Sequence, residues 1–467
     1  MNFISSEFIL FLLCLLSIYY FLGHRLQNVL LLVASYVFYG WWDWRFLFLI
    51  ATAGIANYCF GLVLDKESTF LKTQGARKYL LIVSVIVNFG VLGYFKYFNF
   101  FLQSTVDFLR FAVGLKANID VLTIILPVGI SFYTFQNMGY VIDVYEGRFR
   151  EKVGILDFML FSSFFPQLVA GPIERAGHLL PQITQPRPIS LNQVYSGIQL
   201  VLVGFFKKAV LADNLAPIVD SLFRRADLSG AEIFIATFGF TFQIYFDFSA
   251  YTDIARGVGR LLGFDLSRNF LLPYFSRNPR EFWRRWHVTL SNWFRDYLYI
   301  PLGGGRRKTT ITIRNLMVTM ILCGFWHGAS WNFVLWGCYH AILSAGHRLL
   351  PQSKSHGELR YWLRTVQFFP LVAFGWLIFR IQDIEQLWEM ITALFCLSGW
   401  TDCATESLPY ILILTVPVLL FQVCQHYRGM ELWNKWPIPV RAFFYIFLIY
   451  ATLNFTGDRT DFIYFQF

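Results

Sequence analysis

His327 lies in a long stretch of sequence without acidic residues, Lys or Arg. None of these residue types occurs between Arg314 and Arg348. If residues 314–327 form one helix, His327 lies roughly 20 Å from Arg314 along its axis. The hydrocarbon core of a bilayer is about 30 Å thick, so this position is well inside a membrane. An ionisable residue there is a functional candidate, and histidine is the usual general base near neutral pH.

Two interpretations of His327 stay open from this segment. The side chain is either a catalytic base or a neutral imidazole that hydrogen-bonds a neighbouring helix. Small residues beside it permit close approach by a helix or by a ligand. These are Gly324, Gly328 and Ala329.

Residues 278–301 combine a second histidine, His287, with arginines and aromatic residues. Helical spacing predicts one aromatic face, made of Trp283, Trp286, Leu290, Trp293 and Tyr297. Tryptophans with basic residues are typical of an amphipathic helix at a membrane interface. They also suit a mouth that attracts an anionic donor, because arginine matches phosphate. The candidate donor-binding residues are Arg280, Arg284, Arg285 and Asn292.

Three further features are weaker signals. The glycine-rich loop at 301–308 offers backbone N–H groups to phosphate. Asp253 is predicted to form a structural pair with Arg256, whereas Asp247 has no local partner and is expected to contact the core. Proline and glycine at 164–175 oppose a long helix and predict a re-entrant turn, with either a structural or a functional role.

The elements around these residues are predicted to be membrane-spanning helices. Of 467 residues, 56% are hydrophobic and 15% are charged, against roughly 25% charged in soluble domains. We predict an all-α membrane domain over 1–467 with about 11 crossings. The candidate spans are 6–22, 28–40, 45–64, 79–101, 121–142, 194–220, 232–255, 315–347, 362–380, 407–425 and 440–455. The first is expected to be retained, since it lacks a basic region and a cleavage site. Interruptions between 127 and 348 predict broken or re-entrant helices in the middle of the chain.

The net charge of +10 does not indicate nucleic-acid binding. The basic residues lie in short loops between apolar stretches, which is the positive-inside pattern and predicts that these loops are cytoplasmic. One basic loop contains Lys66, Lys72, Arg77 and Lys78. The longest cluster consists of Arg268, Arg277, Arg280, Arg284, Arg285, Arg295, Arg306, Arg307 and Lys308. The 7 cysteines show no metal-binding spacing, so no metal site is expected.

Five sequence blocks and the C-terminus strongly resemble the membrane-bound O-acyltransferase family, in particular its alginate O-acetylase branch. The blocks occur in the family's order and cover nearly the whole chain. They are Pro127–Gln136, Pro166–Arg175, Phe246–Asp253, Asn278–Gly304, Trp326–Trp331 and the final Phe462–Phe467. Ala250 and Arg256 depart from the branch, which commonly has glycine and an apolar residue there.

The resemblance implies a many-helix fold around a central tunnel that links the two membrane faces. It implies that His327 matches the family's catalytic histidine and that His287 matches the second histidine of the site. It implies acetyl transfer from cytoplasmic acetyl-CoA, with no bound cofactor, to a polysaccharide outside an inner, cytoplasmic membrane. A separate extracytoplasmic acetyltransferase protein is the expected partner.

The sequence leaves the acceptor and one competing class open. Alginate or a similar exopolysaccharide is the expected acceptor, with peptidoglycan, cellulose and teichoic acid as alternatives. A transporter or flippase would also use broken helices and polar residues at the membrane midplane. The chain lacks the repeat-related interrupted segments that many transporters show, which favours the enzyme.

Overall fold

In the described part of the computed structural model, all regular secondary structure is helical. The structure describes residues 1–67, 70–71, 73–114, 122–169, 171–225, 228–306, 308–350, 357–396 and 399–463, and no β-strand occurs in these ranges. Several residues of the predicted loops, spans and blocks lie outside the described residues, namely Lys72, Val121, Ala170, Arg307 and Tyr464–Phe467. Two compact units are present, one formed by Met1–Tyr195 with Val258–Ser267 and one by Ser196–Gly257 with Arg268–Phe467.

The first unit contains nine complete helices among its described residues. They are α1 (Ser6–Tyr19), α2 (His24–Asp43), α3 (Leu47–Leu64), α4 (Gln74–Leu92), α5 (Phe98–Val113), α6 (Ile130–Glu146), α7 (Ile155–Ser163), α8 (Phe165–Leu168) and α9 (Ala176–Thr184). The span predicted at 121–142 is shifted, because α6 begins only after Pro127 and after Gly129, whose φ is 73°.

Polar side chains join the apolar helices of this unit. Asn57 on α3 and Asn88 on α4 exchange amide hydrogen bonds of 3.0 and 2.8 Å. Asn28 on α2 donates a hydrogen bond of 2.8 Å to Asp157 on α7. Amides buried among apolar helices are costly unless they are paired, so these bonds specify which helices are neighbours.

The turn predicted at 164–175 is confirmed as irregular. Among the described residues between the end of α7 and Arg175, only the four buried residues of α8 are helical. The Phe165 amide donates to Ser35 Oγ at 3.1 Å, and Gln167 Nε2 donates to the Phe161 carbonyl at 2.9 Å. These bonds hold the turn in place and give it a structural role.

The second unit holds the remaining helices and all the predicted site residues. α10 (Leu191–Phe205) enters it from the first unit, and α12 (Gly230–Leu261) belongs to it as far as Gly257. Its other helices are α11 (Asp213–Phe223), α13 (Pro279–Trp283), α14 (Val288–Phe294), α15 (Thr309–His327), α16 (Trp331–Leu349), α17 (Glu358–Arg380), α18 (Ile384–Cys396), α19 (Asp402–Arg428) and α20 (Ile438–Asn454).

Asp247 contacts the core through a buried ion pair, as expected. Lys208 lies in a π-helical turn at Phe206–Ala212, with Nζ 2.9 Å from Asp247 Oδ1 and 2.8 Å from Asp213 Oδ1. The Ile463 amide also donates to Asp247 Oδ2 at 2.7 Å. A lone buried charge would be costly, and this network supplies the partners that the local sequence does not show.

Asp253 has a second partner that sequence spacing did not indicate. The predicted Asp253–Arg256 pair is present at 3.7 Å, but Lys207 Nζ is closer, at 2.7 Å. Lys207 lies on a different helical segment, so the i,i+3 rule could not find it.

Seven helical segments within the described ranges are long and apolar enough to cross a membrane. They are His24–Leu64, Gln74–Val113, Leu191–Phe223, Gly230–Leu261, Thr309–His327, Glu358–Arg380 and Asp402–Arg428. The apolar helices α1 and α20 are shorter. The prediction of an all-helical chain with many apolar spans is therefore confirmed.

Candidate active site

His327 is the last residue of α15, a helix of 19 residues. Since the helix is continuous from Thr309, the expected separation of roughly 20 Å between Arg314 and His327 along the axis holds. The His327 side chain is buried, with 4% of the residue exposed. The span predicted at 315–347 is wrong in one respect, because the chain breaks after His327 and restarts as α16 at Trp331.

The small residues near His327 let α15 and α16 pack backbone against backbone. A Cβ atom on Gly337 would lie 2.5 Å from the Met320 carbonyl oxygen and 2.9 Å from Ile321 Cα. A Cβ on Gly324 would collide with the Phe333 carbonyl oxygen. Gly324, which the sequence left open to a helix or a ligand, therefore serves helix packing.

His287 lies in a turn between two short helices. Its backbone is left-handed, with φ 41° and ψ 55°, a conformation that costs a non-glycine residue roughly 1–2 kcal/mol. The continuous amphipathic helix suggested by residues 283–297 is therefore absent, and α13 ends at Trp283 before α14 begins at Val288. His287 is 1% exposed. Burial lowers its pKa to about 3, so the imidazole is neutral at pH 7.

Asn269 accepts hydrogen bonds from this turn through both its backbone carbonyl and its side chain. The Val288 amide donates to the Asn269 carbonyl at 3.0 Å. The Thr289 amide and hydroxyl donate to Asn269 Oδ1 at 3.2 and 2.7 Å. On the other side of His287, the Leu271 amide donates to the Arg285 carbonyl at 3.0 Å. The left-handed residue is thus enclosed by hydrogen bonds to one buried segment.

Trp326 connects the two histidines. Its ring centroid lies 5.9 Å from that of His287 and 5.1 Å from that of His327. Phe248 packs on His287 at 4.8 Å, and Trp336 packs on His327 at 5.1 Å. The structure therefore brings together both histidines predicted from the sequence, in one buried set of rings that we call the aromatic cluster.

A third buried histidine, His340, belongs to the aromatic cluster. Its ring lies 4.6 Å from Trp336 and stacks on Phe282 at 5.9 Å, with 6° between the planes. Sequence reasoning missed His340, because it lies within a regular helix and no motif surrounds it. The only signal was that His340 is a further histidine in the stretch without acidic residues, Lys or Arg around His327.

Comparison with known proteins identifies a family and several relatives. Residues 148–384 match the model of the membrane-bound O-acyltransferase family. The "Probable alginate O-acetylase AlgI" of Azotobacter vinelandii is 42% identical over 402 residues, which cover 86% of this chain and 79% of the relative. The protein of the same name from Pseudomonas aeruginosa is 41% identical over 446 residues, covering 95% and 84%. The "Peptidoglycan O-acetyltransferase" of Helicobacter pylori is 35% identical over 405 residues, covering 80% and 74%.

The chain belongs to the membrane-bound O-acyltransferase family. It is accordingly an acyltransferase and a multi-pass membrane protein. The family match includes all three histidines of the aromatic cluster and Asn269.

The predicted donor-binding residues of this O-acyltransferase differ in exposure and in their contacts. Arg280 and Arg284 are exposed, on and just after α13. Arg285 is half-buried and donates to the Phe275 carbonyl at 3.2 Å and to the Tyr361 hydroxyl at 3.5 Å. These bonds give Arg285 a structural role. Asn292 is half-buried on α14.

The glycine-rich loop of the O-acyltransferase uses its amides internally. The amides of Leu302, Gly303 and Gly304 donate to carbonyls of Leu298, Ile300 and Tyr299 at 3.1, 2.9 and 2.8 Å. These three N–H groups are therefore not aimed at a phosphate, in contrast to the sequence-based suggestion.

A basic cavity of about 210 Å³ lies beside the start of α17. Its walls carry three guanidinium groups, from Arg277, Arg360 and Arg364, and one carboxylate, from Glu358. Arg277 is also paired with Glu281. Sequence reasoning placed only Arg277 in a basic cluster. The signal for the other two was their i,i+4 spacing, which puts both on one helix face.

Proposed function

We propose that this acyltransferase takes an acetyl group from acetyl-CoA on the cytoplasmic side and delivers it to a polysaccharide outside the membrane. The observation that carries the proposal is the pair of buried histidines that share Trp326 in the aromatic cluster. The three relatives described above are named for O-acetylation of a polymer, either alginate or peptidoglycan.

In the proposed reaction, a hydroxyl oxygen attacks the thioester carbonyl carbon, and the carbon–sulfur bond breaks. His327 accepts the hydroxyl proton and passes it to the departing thiolate, so the products are an ester and free CoA. General-base catalysis of this kind contributes about 10²–10⁴-fold. The C-terminal end of α15 carries partial negative charge, which stabilises the imidazolium that forms on His327.

His287 has a different proposed role. Its low pKa keeps the imidazole neutral, so it keeps one N–H donor and does not compete for the proton. A neutral donor in a buried site suits the oxyanion that develops on the thioester carbonyl. The two histidines therefore have separate proposed roles: His327 transfers the proton, and His287 stabilises the oxyanion.

The basic cavity is the proposed docking place for the phosphates of acetyl-CoA. Arginine presents paired N–H donors that match phosphate oxygens. Arg277 is already paired with Glu281, so the support for this assignment comes from Arg360 and Arg364, which exceed the one lining carboxylate, Glu358. Arg280 and Arg284 are exposed and follow Arg277 closely in the sequence. They are proposed to attract the donor before it docks.

The proposed topology has eleven crossings in an inner, cytoplasmic membrane, within one functional domain over 1–467. The segments of 41 and 40 residues would each extend about 60 Å as straight helices, twice the hydrocarbon thickness. Each contains two helices, so each is proposed to cross twice. Adding α1 and α20 to the remaining five segments gives eleven. A central tunnel stays a prediction.

Alginate or a similar exopolysaccharide is the proposed acceptor, reached through an extracytoplasmic acetyltransferase protein. Two relatives at 41–42% identity are named for alginate, and one at 35% for peptidoglycan. Peptidoglycan is therefore the second candidate.

Transfer from radiolabelled acetyl-CoA in membrane vesicles tests the proposal. We expect His327→Ala to lower labelling of the polymer by 10²–10⁴-fold, with His24→Ala as a matched control far along the sequence. His327→Asn is the second variant if alanine lowers the amount of protein in the membrane. Full activity in both variants, at normal protein levels, would refute the base assignment. Purified protein that moved substrate across liposomes without consuming acetyl-CoA would instead support a transporter.

A further inference from the structure

A second cavity lies within the second unit, and Asn269, which holds the turn at His287, is among its lining residues. Its volume is about 420 Å³, within the range of roughly 300–1,000 Å³ typical of small-molecule sites. Its walls come from α10 and the following π-helical turn, from α12, and from α19 and α20. The cavity has a charged end and an apolar end.

Three basic and two acidic side chains form the charged end. Lys207 Nζ lies 2.7 Å from Asp253, and Arg256 lies 3.7 Å from the same carboxylate. Arg268 Nη2 lies 2.7 Å from Glu431. Among the lining residues, three cations against two carboxylates leave one positive charge in excess. A ligand with a single negative charge would balance this excess. The side chains of Lys207 and Asp253 are 18% exposed, whereas that of Arg268 is 38% exposed.

The apolar end runs along α19 and α20. On α19 the lining extends from Gln425 back to Ile413, and a second stretch extends from Phe444 on α20 to Phe455, the residue after that helix ends. At about 1.5 Å per residue these stretches measure about 18 and 17 Å. Half of a hydrocarbon core of about 30 Å is about 15 Å. The apolar end is therefore as deep as one leaflet of the bilayer.

We propose that this cavity binds one anionic phospholipid of the membrane. The phosphodiester would lie among Lys207, Arg256 and Arg268, and an acyl chain would lie between α19 and α20. Basic pockets between transmembrane helices bind anionic lipids in this way. A zwitterionic lipid would add an ammonium group to an end that already has excess positive charge. Inorganic phosphate would match the charged end and leave the apolar end unused.

Native mass spectrometry of the purified full chain tests this site with added phosphatidylglycerol, phosphatidylcholine or inorganic phosphate. We expect one phosphatidylglycerol adduct, retained at least tenfold more strongly than phosphatidylcholine. Ala451→Trp fills the apolar end, where Ala451 is 3% exposed, and should remove the adduct. Its control is Leu453→Trp on the same helix, where the side chain is 78% exposed and outside the cavity.

Lys207→Gln tests the charged end, because it removes the excess positive charge while Arg256 still faces Asp253. We expect at least tenfold weaker retention of phosphatidylglycerol. Arg428→Gln, exposed at the end of α19, makes the same charge change outside the cavity and should have no effect. Val418→Trp fills the cavity from α19 if Ala451→Trp fails to fold.

Three results would overturn the proposal. Equal retention of phosphatidylglycerol and phosphatidylcholine by the unaltered protein would exclude recognition of charge. Retention of the adduct by folded Ala451→Trp or Val418→Trp would place the lipid elsewhere. Inorganic phosphate that displaced the lipid at equal concentration would show that the apolar end contributes nothing.

Discussion

Replacing Asn269 with alanine tests whether the turn at His287 is what positions this imidazole. The substitution removes Oδ1, the acceptor for the Thr289 amide and hydroxyl at 3.2 and 2.7 Å. It leaves the backbone bond from Val288 to residue 269 in place. Asn269 is 1% exposed, so water does not readily replace the lost acceptor. The prediction rests on the proposed role of His287.

The size of the effect follows from the two lost hydrogen bonds. Each contributes about 1 kcal/mol, so together they stabilise the turn by about 2 kcal/mol. The left-handed backbone of His287 costs roughly 1–2 kcal/mol, which these bonds offset. Losing them lets the turn relax, and 2 kcal/mol corresponds to about a 30-fold lower rate. Thr289→Val removes only one of the bonds and should lower the rate about fivefold.

The assay is acetyl transfer from acetyl-CoA at saturating and at low donor concentration. We expect kcat to fall and KM for acetyl-CoA to change little, because His287 is proposed to act on the transition state. Ser276→Ala is the matched control, since it removes a buried hydrogen bond of 2.7 Å from the same segment without touching the turn. Its rate should stay close to that of the unaltered protein.

The double variant decides whether Asn269 acts through His287. In a His287→Ala background, Asn269→Ala should have no further effect on kcat, because the imidazole it positions is gone. A 30-fold loss in both backgrounds would refute the reasoning and give Asn269 a separate role. Unchanged kcat in the single variant would show that the turn does not depend on the side chain.

Three further substitutions test the packing that supports the site. Gly337→Ala should destabilise the protein, because its Cβ would lie 2.5 Å from a carbonyl oxygen of α15, whereas Gly346→Ala on the same helix meets nothing within 4 Å; thermal melting in detergent compares the two. Lys208→Met leaves two buried carboxylates without their cation and should cost about 3–5 kcal/mol, measured as lost folded protein in denaturant titration. His178 has a raised pKa because it hydrogen-bonds Glu174. Its contribution to stability is therefore present below about pH 6.5 and lost as the pH rises through the raised pKa, so melting curves of His178→Gln should lack that decline.

Local sequence patterns predicted those elements whose structure is determined by their own residues. A helix through residues 314–327 follows from the apolar stretch without acidic residues, Lys or Arg, and it is confirmed as part of α15, although its end at His327 was not predicted. The irregular turn near residue 165 follows from proline and glycine, and it is confirmed by the four-residue helix α8. In both cases the residues that determine the backbone are the residues that the pattern contains.

Contacts between distant segments were not predictable in the same way. Lys208 and Asp247 are 39 residues apart, and only the fold places them 2.9 Å from each other. Broken helices were predicted in this region, but the reversal after His327 was not located. Residues 315–347 contain no acidic residue, Lys or Arg, and hydropathy alone does not distinguish one long helix from a hairpin. The glycines that allow the hairpin were noticed, but their partners lie on the other helix.

The two histidines are placed in the aromatic cluster by different backbone structures, one by a helix end and one by a left-handed turn. This difference bears on their proposed roles. His327 ends a regular helix, so its position depends on the packing of α15 against α16 and requires no strained residue. His287 occupies a left-handed turn that the chain adopts only because Asn269 and its neighbours enclose it. A residue that accepts a proton needs a stabilised positive charge, which a helix C-terminus provides. A residue that stabilises an oxyanion needs a fixed direction, and a turn enclosed by hydrogen bonds provides one. The histidine in the strained turn should therefore be the more sensitive of the two to small changes in its surroundings.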